Sequence, residues 1–459
     1  MQNSRDVEPH ASLDDGVVIT PDRLPSESES VMSVAPARIH SGETSKRHLV
    51  AIGLGHAIEW YDWGAYAVFA QFFADQFFDT ENAARAVLAS LAVFAVGFVA
   101  RPVGGVFFGS LADRRGRRFA MTLTVAGMAL ASFALGVTPS YHVIGLWAPV
   151  LLLASRLIQG LACGGELPAA QTYLSEVAPP AQRGRWSSLI YVSTAFGNTC
   201  GLSLGLALTL TLSDAQMHDW GWRIPFLLGG ALGLVTLYMR RVMDEPEVFR
   251  AEHEPTTSGS AAKLFHHRKE AFRVVGLSIG FTVFLYAWLF AALSYAITTL
   301  HDGSVGALSA AICAAVLFMA AMPLWGALSD RIGRKPVLLI SVLGSAAVQF
   351  PLQVLLSDSA WRLFLSLVIA LVPLAAGLSV LPAVYSELFP TGIRASGMAL
   401  PYSITVAVFG GTAPYLQAWT TTHLGRSAFD GYVVIMLLIT AATVLTLPET
   451  RGRSLDAGF

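Results

Sequence analysis

The chain has 459 residues, of which 54% are hydrophobic and 13% charged, about half the charged share of a soluble domain. Its mean hydropathy of +0.56 and formal net charge of −1 exclude a fully water-facing surface and the basic surplus that a nucleic-acid-binding protein needs. Cys163, Cys200 and Cys313 stand singly in apolar segments, with no Cys-x-x-Cys or Cys/His cluster. No disulfide framework, metal site or other cofactor is indicated, and all three read as small buried filler.

Residues 1–45 are polar, rich in Ser, Pro, Asp and Glu, and lack a long apolar run; they read as a disordered tail and not as a signal peptide. Long apolar stretches follow. Residues 86–108 are broken only by Arg101, and residues 274–300 carry no charge. About 20 apolar residues, rising 1.5 Å each, cross a hydrocarbon core of about 30 Å. The sequence therefore predicts an all-α membrane protein of twelve transmembrane helices, centred near Gly64, Val96, Ala129, Ile158, Thr199, Gly233, Leu285, Leu317, Leu343, Pro373, Val408 and Leu438.

Lys and Arg gather on alternate loops. One set holds Lys46, Arg47, Arg114, Arg115, Arg117, Arg118, Arg183, Arg185, Arg240, Arg241, Arg331, Arg334, Lys335, Arg394 and others; the second holds only Arg85, Arg223, Arg362 and Arg426. A bias of about five to one places the first set, and with it both termini, in the cytoplasm.

The chain also repeats itself. Gly109-Ser-Leu-Ala-Asp113-Arg114-Arg115-Gly116-Arg117-Arg118 follows the second span, and Gly326-Ala-Leu-Ser-Asp330-Arg331-Ile332-Gly333-Arg334-Lys335 follows the eighth. Glu176 precedes Arg183 as Glu387 precedes Arg394, and Asp244-Glu245-Pro246 is matched by Pro448-Glu449-Thr450. These pairs divide the chain into two pseudo-symmetric six-helix halves, 46–242 and 273–450, joined by a cytoplasmic linker at 243–272 and followed by a short tail at 451–459. Internal repeats of this kind let transporters hold a site between halves that rock.

The doubled G-x-x-x-D-R-x-G-R-[RK] loop resembles the signature of the major facilitator superfamily. Glu59-Trp60-Tyr61-Asp62, Arg101-Pro102-Val103-Gly104-Gly105, Arg156-Leu-Ile-Gln159-Gly160, Gly164-Gly165-Glu166 and Trp220-Gly221-Trp222-Arg223-Ile224-Pro225-Phe226 resemble the metabolite:proton symporters within it. The resemblance spans about Lys46 to Leu455. It implies the major facilitator fold, alternating access, and a solute such as α-ketoglutarate, citrate, shikimate, proline or betaine. His56, Trp63 and Leu167-Pro168 depart from the family pattern near the expected cavity and leave the solute open.

A charge inside a span marks a functional site by default, and Glu59, Asp62, Arg101, Arg156 and Glu166 are such charges, whereas the second half has almost none at mid-depth. Glu59 and Asp62 share a face of the first helix, with His56 and Tyr66 on the same stripe. A carboxylate in a low-dielectric place can gain and lose a proton near neutral pH, and imidazole titrates there unaided. Glu59, Asp62 and His56 are therefore the candidate proton-coupling residues. Arg101 and Arg156 offer forks to a carboxylate, from the solute or from Asp62. With Tyr61, Tyr66, Gln159, Glu166 and Asn198 they form the candidate substrate site. The resemblance assigns gating to Gly109, Asp113, Arg114, Gly116, Arg117, Glu176, Arg183, Asp330, Arg331, Arg334, Glu387 and Arg394. There Asp113 would face the N-terminus of a helix in the opposite half, and Arg117 would pair with Glu176 or Glu245.

These features predict a secondary active transporter, a proton-coupled symporter of a small carboxylated metabolite or zwitterion. It is expected to sit as a monomer in a bacterial inner membrane, with the solute, protons and lipid as its partners. The rival is a proton-coupled drug or metabolite exporter, whose helix-four motif the Arg156-x-x-Gln159-Gly160 segment also resembles. No enzyme signature and no ATP-binding Gly-x-x-x-x-Gly-Lys-Ser/Thr loop occurs.

Overall fold

The computed structural model describes residues 43–79, 82–115, 117–164, 171, 174–175, 178–242, 267–298, 303–356, 359–390 and 394–453. The expected tail and linker lie outside them, save where helices begin at Glu43 and Arg268.

Twelve long helices account for the described fold. The first six are α1 (Glu43–Phe77), α2 (Ala83–Arg115), α3 (Arg117–Val137), α4 (Trp147–Cys163), α5 (Arg183–Thr211) and α6 (Ile224–Val242). α7 starts as Arg268–Tyr286 and continues through a π-turn, Ala287–Ala291, into Ala292–Thr298. Next come α8 (Ser304–Ile332), α9 (Arg334–Leu355) and α10 (Ala360–Leu388). α11 runs from Arg394–Thr405 through a second π-turn, Val406–Gly410, to Ala413–His423, and α12 is Arg426–Thr446. All twelve predicted span centres fall on these helices. Among the described residues, eight segments are long and apolar enough on their own to cross a membrane, and Thr122–Val137 and Trp147–Cys163 are shorter apolar helices. Val103, Phe107, Leu130, Leu324, Val354 and Leu445 stand exposed on the outer helix faces. Water disfavours so much exposed apolar surface, and lipid accepts it.

Two glycine features set the geometry. Gly333 alone separates α8 from α9, at φ +106°, a conformation open to glycine and costly to other residues; this is the glycine of the repeated loop. In the first half, α2 and α4 meet backbone to backbone. A Cβ on Gly160 would fall on the Gly97 carbonyl, and one on Gly104 or Gly164 would fall on the Leu161 or Arg101 carbonyl. Such close approach is how membrane helices gain packing where lipid supplies no hydrophobic drive. It carries Arg101 of α2 and Arg156 of α4 to the indole of Trp63, 4.7 and 5.4 Å from its centroid.

Candidate functional site

Four charges are buried around α1. Glu59 Oε1 lies 4.0 Å from Arg101 Nη2, and Glu59 Oε2 lies 3.7 Å from His56 Nδ1. His56 Nε2 meets the Thr194 hydroxyl at 2.9 Å. That hydroxyl donates its own proton to the Ile190 carbonyl, so it accepts from His56, and a neutral ring then turns its Nδ1 lone pair toward Glu59. Arg101 lies over Phe98, 4.1 Å from Cζ to the centroid, as well as over Trp63 and Trp60. Ring quadrupoles stabilise a guanidinium without consuming its N–H groups. Its Nε and Nη2, which form one edge of the fork, have no hydrogen-bond partner among the described residues.

One turn along α1, Asp62 Oδ2 accepts from Ser132 Oγ at 2.5 Å and from Gln159 Nε2. Arg156 is fully buried, with its Cζ 3.8 Å from the centre of the Tyr66 ring. None of its three guanidinium nitrogens has a hydrogen-bond partner among the described residues. Tyr61 and Tyr66 spend their hydroxyls inside the first half, on the carbonyls of Pro225 and Ser90, both at 2.9 Å. Asn198 packs on Gly64 and borders a cleft with Gln71 and with Leu289, Phe290 and Leu293 of α7. Glu166 lies outside the described residues.

Aromatic rings close one side of this cluster. Trp60 meets Phe290 and Tyr286 at 6.4 Å between centroids, and Phe98 meets Tyr286 edge-on at 5.3 Å. The π-turn of α7 carries Phe290, and Gly410, in the π-turn of α11, packs on the Tyr286 ring. Such turns often mark places where a helix changes shape for function. Tyr191 and Tyr402 approach at 3.5 Å between hydroxyls.

At the basic end the halves are held by ions. Asp330 accepts from the backbone N–H of Gly184 and Arg185, at 2.8 and 3.0 Å; it thus sits on the positive N-terminus of α5, in the opposite half. Arg334 Nη1 binds the same carboxylate at 2.7 Å. Glu387 accepts from Arg183 Nη1 at 3.1 Å and from Thr450 Oγ1 at 2.5 Å, with Arg334 Nη2 3.7 Å away. Glu449 receives the N–H groups of Arg334, Lys335 and Arg451 at 2.8, 3.1 and 2.9 Å. Arg394 turns back onto the Ser386 carbonyl at 2.9 Å, and Arg331 is exposed. Gly109, Asp113, Arg114 and Arg117 lie at the α2–α3 junction; Gly116 and Glu176, with the expected partner Glu245, lie outside the described residues.

One expectation needs correcting, and one buried carboxylate was not among the candidates. Asp430, in the second turn of α12, is buried, accepts from Gln349 Nε2 at 2.6 Å, and through Gln349 reaches Trp288 Nε1 at 2.9 Å. Its acidic letter beside an apolar run was the available signal. Of the cysteines only Cys163 is buried filler, accepting from Trp63 Nε1 at 3.1 Å; Cys200 and Cys313 are exposed.

Comparison with known proteins fits this geometry. The sugar (and other) transporter family matches residues 48–266 and again 249–457. The α-ketoglutarate permease of Escherichia coli (strain K12) is 35% identical, over 90% of this chain and 96% of its own length. The proline/betaine transporter of the same strain is 31% identical, over 89% and 85%. Among solved structures, the proton:xylose symporter XylE superposes with a TM-score of 0.72 at 19% identity, covering 89% of this chain and 97% of its own. The chain is a multi-pass secondary transporter, not an enzyme, and it belongs to the sugar (and other) transporter family of the major facilitator superfamily.

Proposed function

We propose that the protein is a symporter that carries a small carboxylated metabolite or zwitterion together with protons, by alternating access between the halves 46–242 and 273–450. The observation behind this reading is the Arg101 edge: a buried cation held by aromatic rings, with Nε and Nη2 unpartnered and Glu59 at 4.0 Å. A carboxylate docks on such an edge through two parallel hydrogen bonds. While Glu59 is ionised it balances Arg101. Once Glu59 takes a proton, with His56 beside it, the guanidinium is left to a solute carboxylate. Proton and carboxylate then enter the site together, because each alone leaves a buried charge uncompensated. Asp62, held by Ser132 and Gln159, is the nearby charge that offsets Arg156 electrostatically. α-Ketoglutarate, proline and betaine, named for the relatives, all bear a carboxylate. The basic end faces the cytoplasm of a bacterial inner membrane by the Lys/Arg bias, and the Asp330 and Glu387 contacts close it until the halves rock.

Proteoliposomes loaded with a pH dye test the reading. One solute pool holds α-ketoglutarate, citrate and shikimate; the other holds proline and glycine betaine. Internal acidification with one pool, lost in Asp62→Asn and Arg101→Ala, is expected. Folded protein that acidifies with neither pool would discard symport of these solutes and bring the exporter forward.

A further inference from the structure

We propose that Glu59 and Asp62 exchange a proton through a water site between α1, α3 and α6, off the solute's path. The inference rests on the proton-coupled reading above. Each carboxylate has one oxygen engaged: Glu59 Oε1 faces Arg101, and Asp62 Oδ2 accepts from Ser132 and Gln159. The remaining oxygens, Glu59 Oε2 and Asp62 Oδ1, are buried and have no hydrogen-bond partner among the described residues. Both residues line a single cavity with Ser132 of α3 and Gly229, Gly233 and Thr236 of α6, and among the described residues none of the second half lines it. It has room for about one water molecule, and a buried water needs two to four polar partners. Glu59 and Asp62 both line the cavity and each has an oxygen without a hydrogen-bond partner among the described residues, Asp62 Oδ1 lying against Gly229; the Thr236 hydroxyl, which donates to the Leu232 carbonyl, has lone pairs left to accept. Gly229 keeps the way open: a Cβ there would stand 2.7 Å from Asp62 Oδ1.

The charged and titratable groups around the pair are His56 and Tyr61 on α1 itself, Arg101 on α2, Arg156 and Cys163 on α4, Tyr286 on α7 and Tyr402 on α11. Among the described residues, neither α3 nor α6 brings an ionisable group to the lining of the cavity. A relay through it is balanced: the Glu59 acid gives its proton to the water oxygen as the water gives one of its own to the Asp62 carboxylate. The water is regenerated, Glu59 becomes the carboxylate, and Asp62 becomes the acid. Arg101 then regains its internal counter-ion as Arg156 loses its own. The proton thus moves along the first half while the solute passes between the halves.

The test needs no known solute. The full-length protein in detergent is examined by infrared difference spectroscopy, with carboxyl bands assigned by Glu59→Gln and Asp62→Asn. The rate at which each band shifts on transfer from H2O to D2O is then followed. In the natural protein the two bands exchange together. Ala129→Val, from α3, fills the cavity, and Gly229→Ala, from α6, covers Asp62 Oδ1; in either, one band is expected to lag by about tenfold. Thermal melting verifies that each variant is folded, and either alone decides. Equal rates in a folded variant overturn the relay and leave proton coupling standing. A natural protein whose carboxyl groups never titrate in the physiological range overturns the proton-coupled reading itself, and the relay with it.

Discussion

Glu387→Gln isolates the gate at the basic end. The Glu387 carboxylate is fully buried and serves Arg183 from the opposite half, Arg334 and Thr450 at 3.1, 3.7 and 2.5 Å. Glutamine keeps the shape and one accepting oxygen, but removes the only carboxylate that meets Arg183 among the described residues. Removing one partner of a buried pair costs about 3–5 kcal/mol, and a hydrogen bond to a charged group contributes about 1.5–3 kcal/mol. Because the amide still accepts, the lower end applies, about 2–3 kcal/mol. The cost falls only on the closed gate, since opening returns both guanidinium groups to water. The closed-to-open ratio should therefore drop by roughly 30- to 150-fold. Spin labels at the exposed positions Gln182 and Ile332, after replacement of the exposed Cys200 and Cys313, report the separation of α5 and α8. A shift of the distance distribution to long values is expected, and Arg183→Gln in the same chain should partly reverse it. An unchanged distribution in folded Glu387→Gln protein would refute the claim that this carboxylate holds the halves together.

Other outcomes follow from the same contacts. Arg101→Lys keeps the charge but loses the fork, so solute affinity should fall by about tenfold or more with the protein still folded, as read by binding calorimetry. Asp430→Ala strands the buried Gln349 amide and should cost about 1–3 kcal/mol in a chemical-denaturation assay, whereas Asp430→Asn, which still accepts, should cost less. Gly160→Ala drives a Cβ onto the Gly97 carbonyl; thermal melting should show about 1–3 kcal/mol of destabilisation as α2 and α4 part. Burial raises the Glu449 carboxyl, but the N–H groups of Arg334, Arg451, Lys335 and Thr450 outweigh it and hold it below its ordinary value of 4.5. A depressed acid stabilises above its unfolded pKa and loses that contribution as pH falls through the folded one. The tie between Glu449 and the start of α9 should thus persist above about pH 4.5 and weaken below it, and Glu449→Gln should remove that acid sensitivity from the same spin-label distances.

The helices were legible because a membrane imposes one length and one polarity on every span, and all twelve predicted centres lie on helices. The ionic contacts at the basic end were legible in outline, because the loop is written twice. The second copy, Asp330, caps a helix of the opposite half, as its sequence twin Asp113 was expected to do. Pairing across the molecule was less accessible. Nothing local in Tyr61 says that its hydroxyl turns to Pro225, or in Trp63 that its indole lies beside both arginines. The second arrangement depends on glycines 97, 104, 160 and 164 allowing α2 and α4 to touch, a property of two helices together. The π-turns at Ala287–Ala291 and Val406–Gly410 had no signal in hydropathy, which records burial and not hydrogen-bond register.

The charges are distributed in a way that suits a rocking molecule. Glu59, Asp62, Arg101 and Arg156 all belong to the first half, while the second brings uncharged tyrosines to the centre, Tyr286 and Tyr385 buried and Tyr402 half-buried. The contacts His56–Glu59 and Arg101–Glu59 are therefore internal to one half, and a rigid-body rotation leaves them whole. Had the central pairs been split between halves, each cycle would break a buried ion pair at a cost of several kcal/mol, and that cost would enter the barrier. The Arg183–Glu387 pair does cross between halves, but it lies at the basic end, where opening admits water to solvate both partners as they separate. Duplication supplied two copies of every element. Ion pairing across the interface is kept where water can replace it, and the aromatic contacts Trp60–Phe290 and Phe98–Tyr286 join the halves at the centre, where apolar surfaces can part without leaving a bare charge.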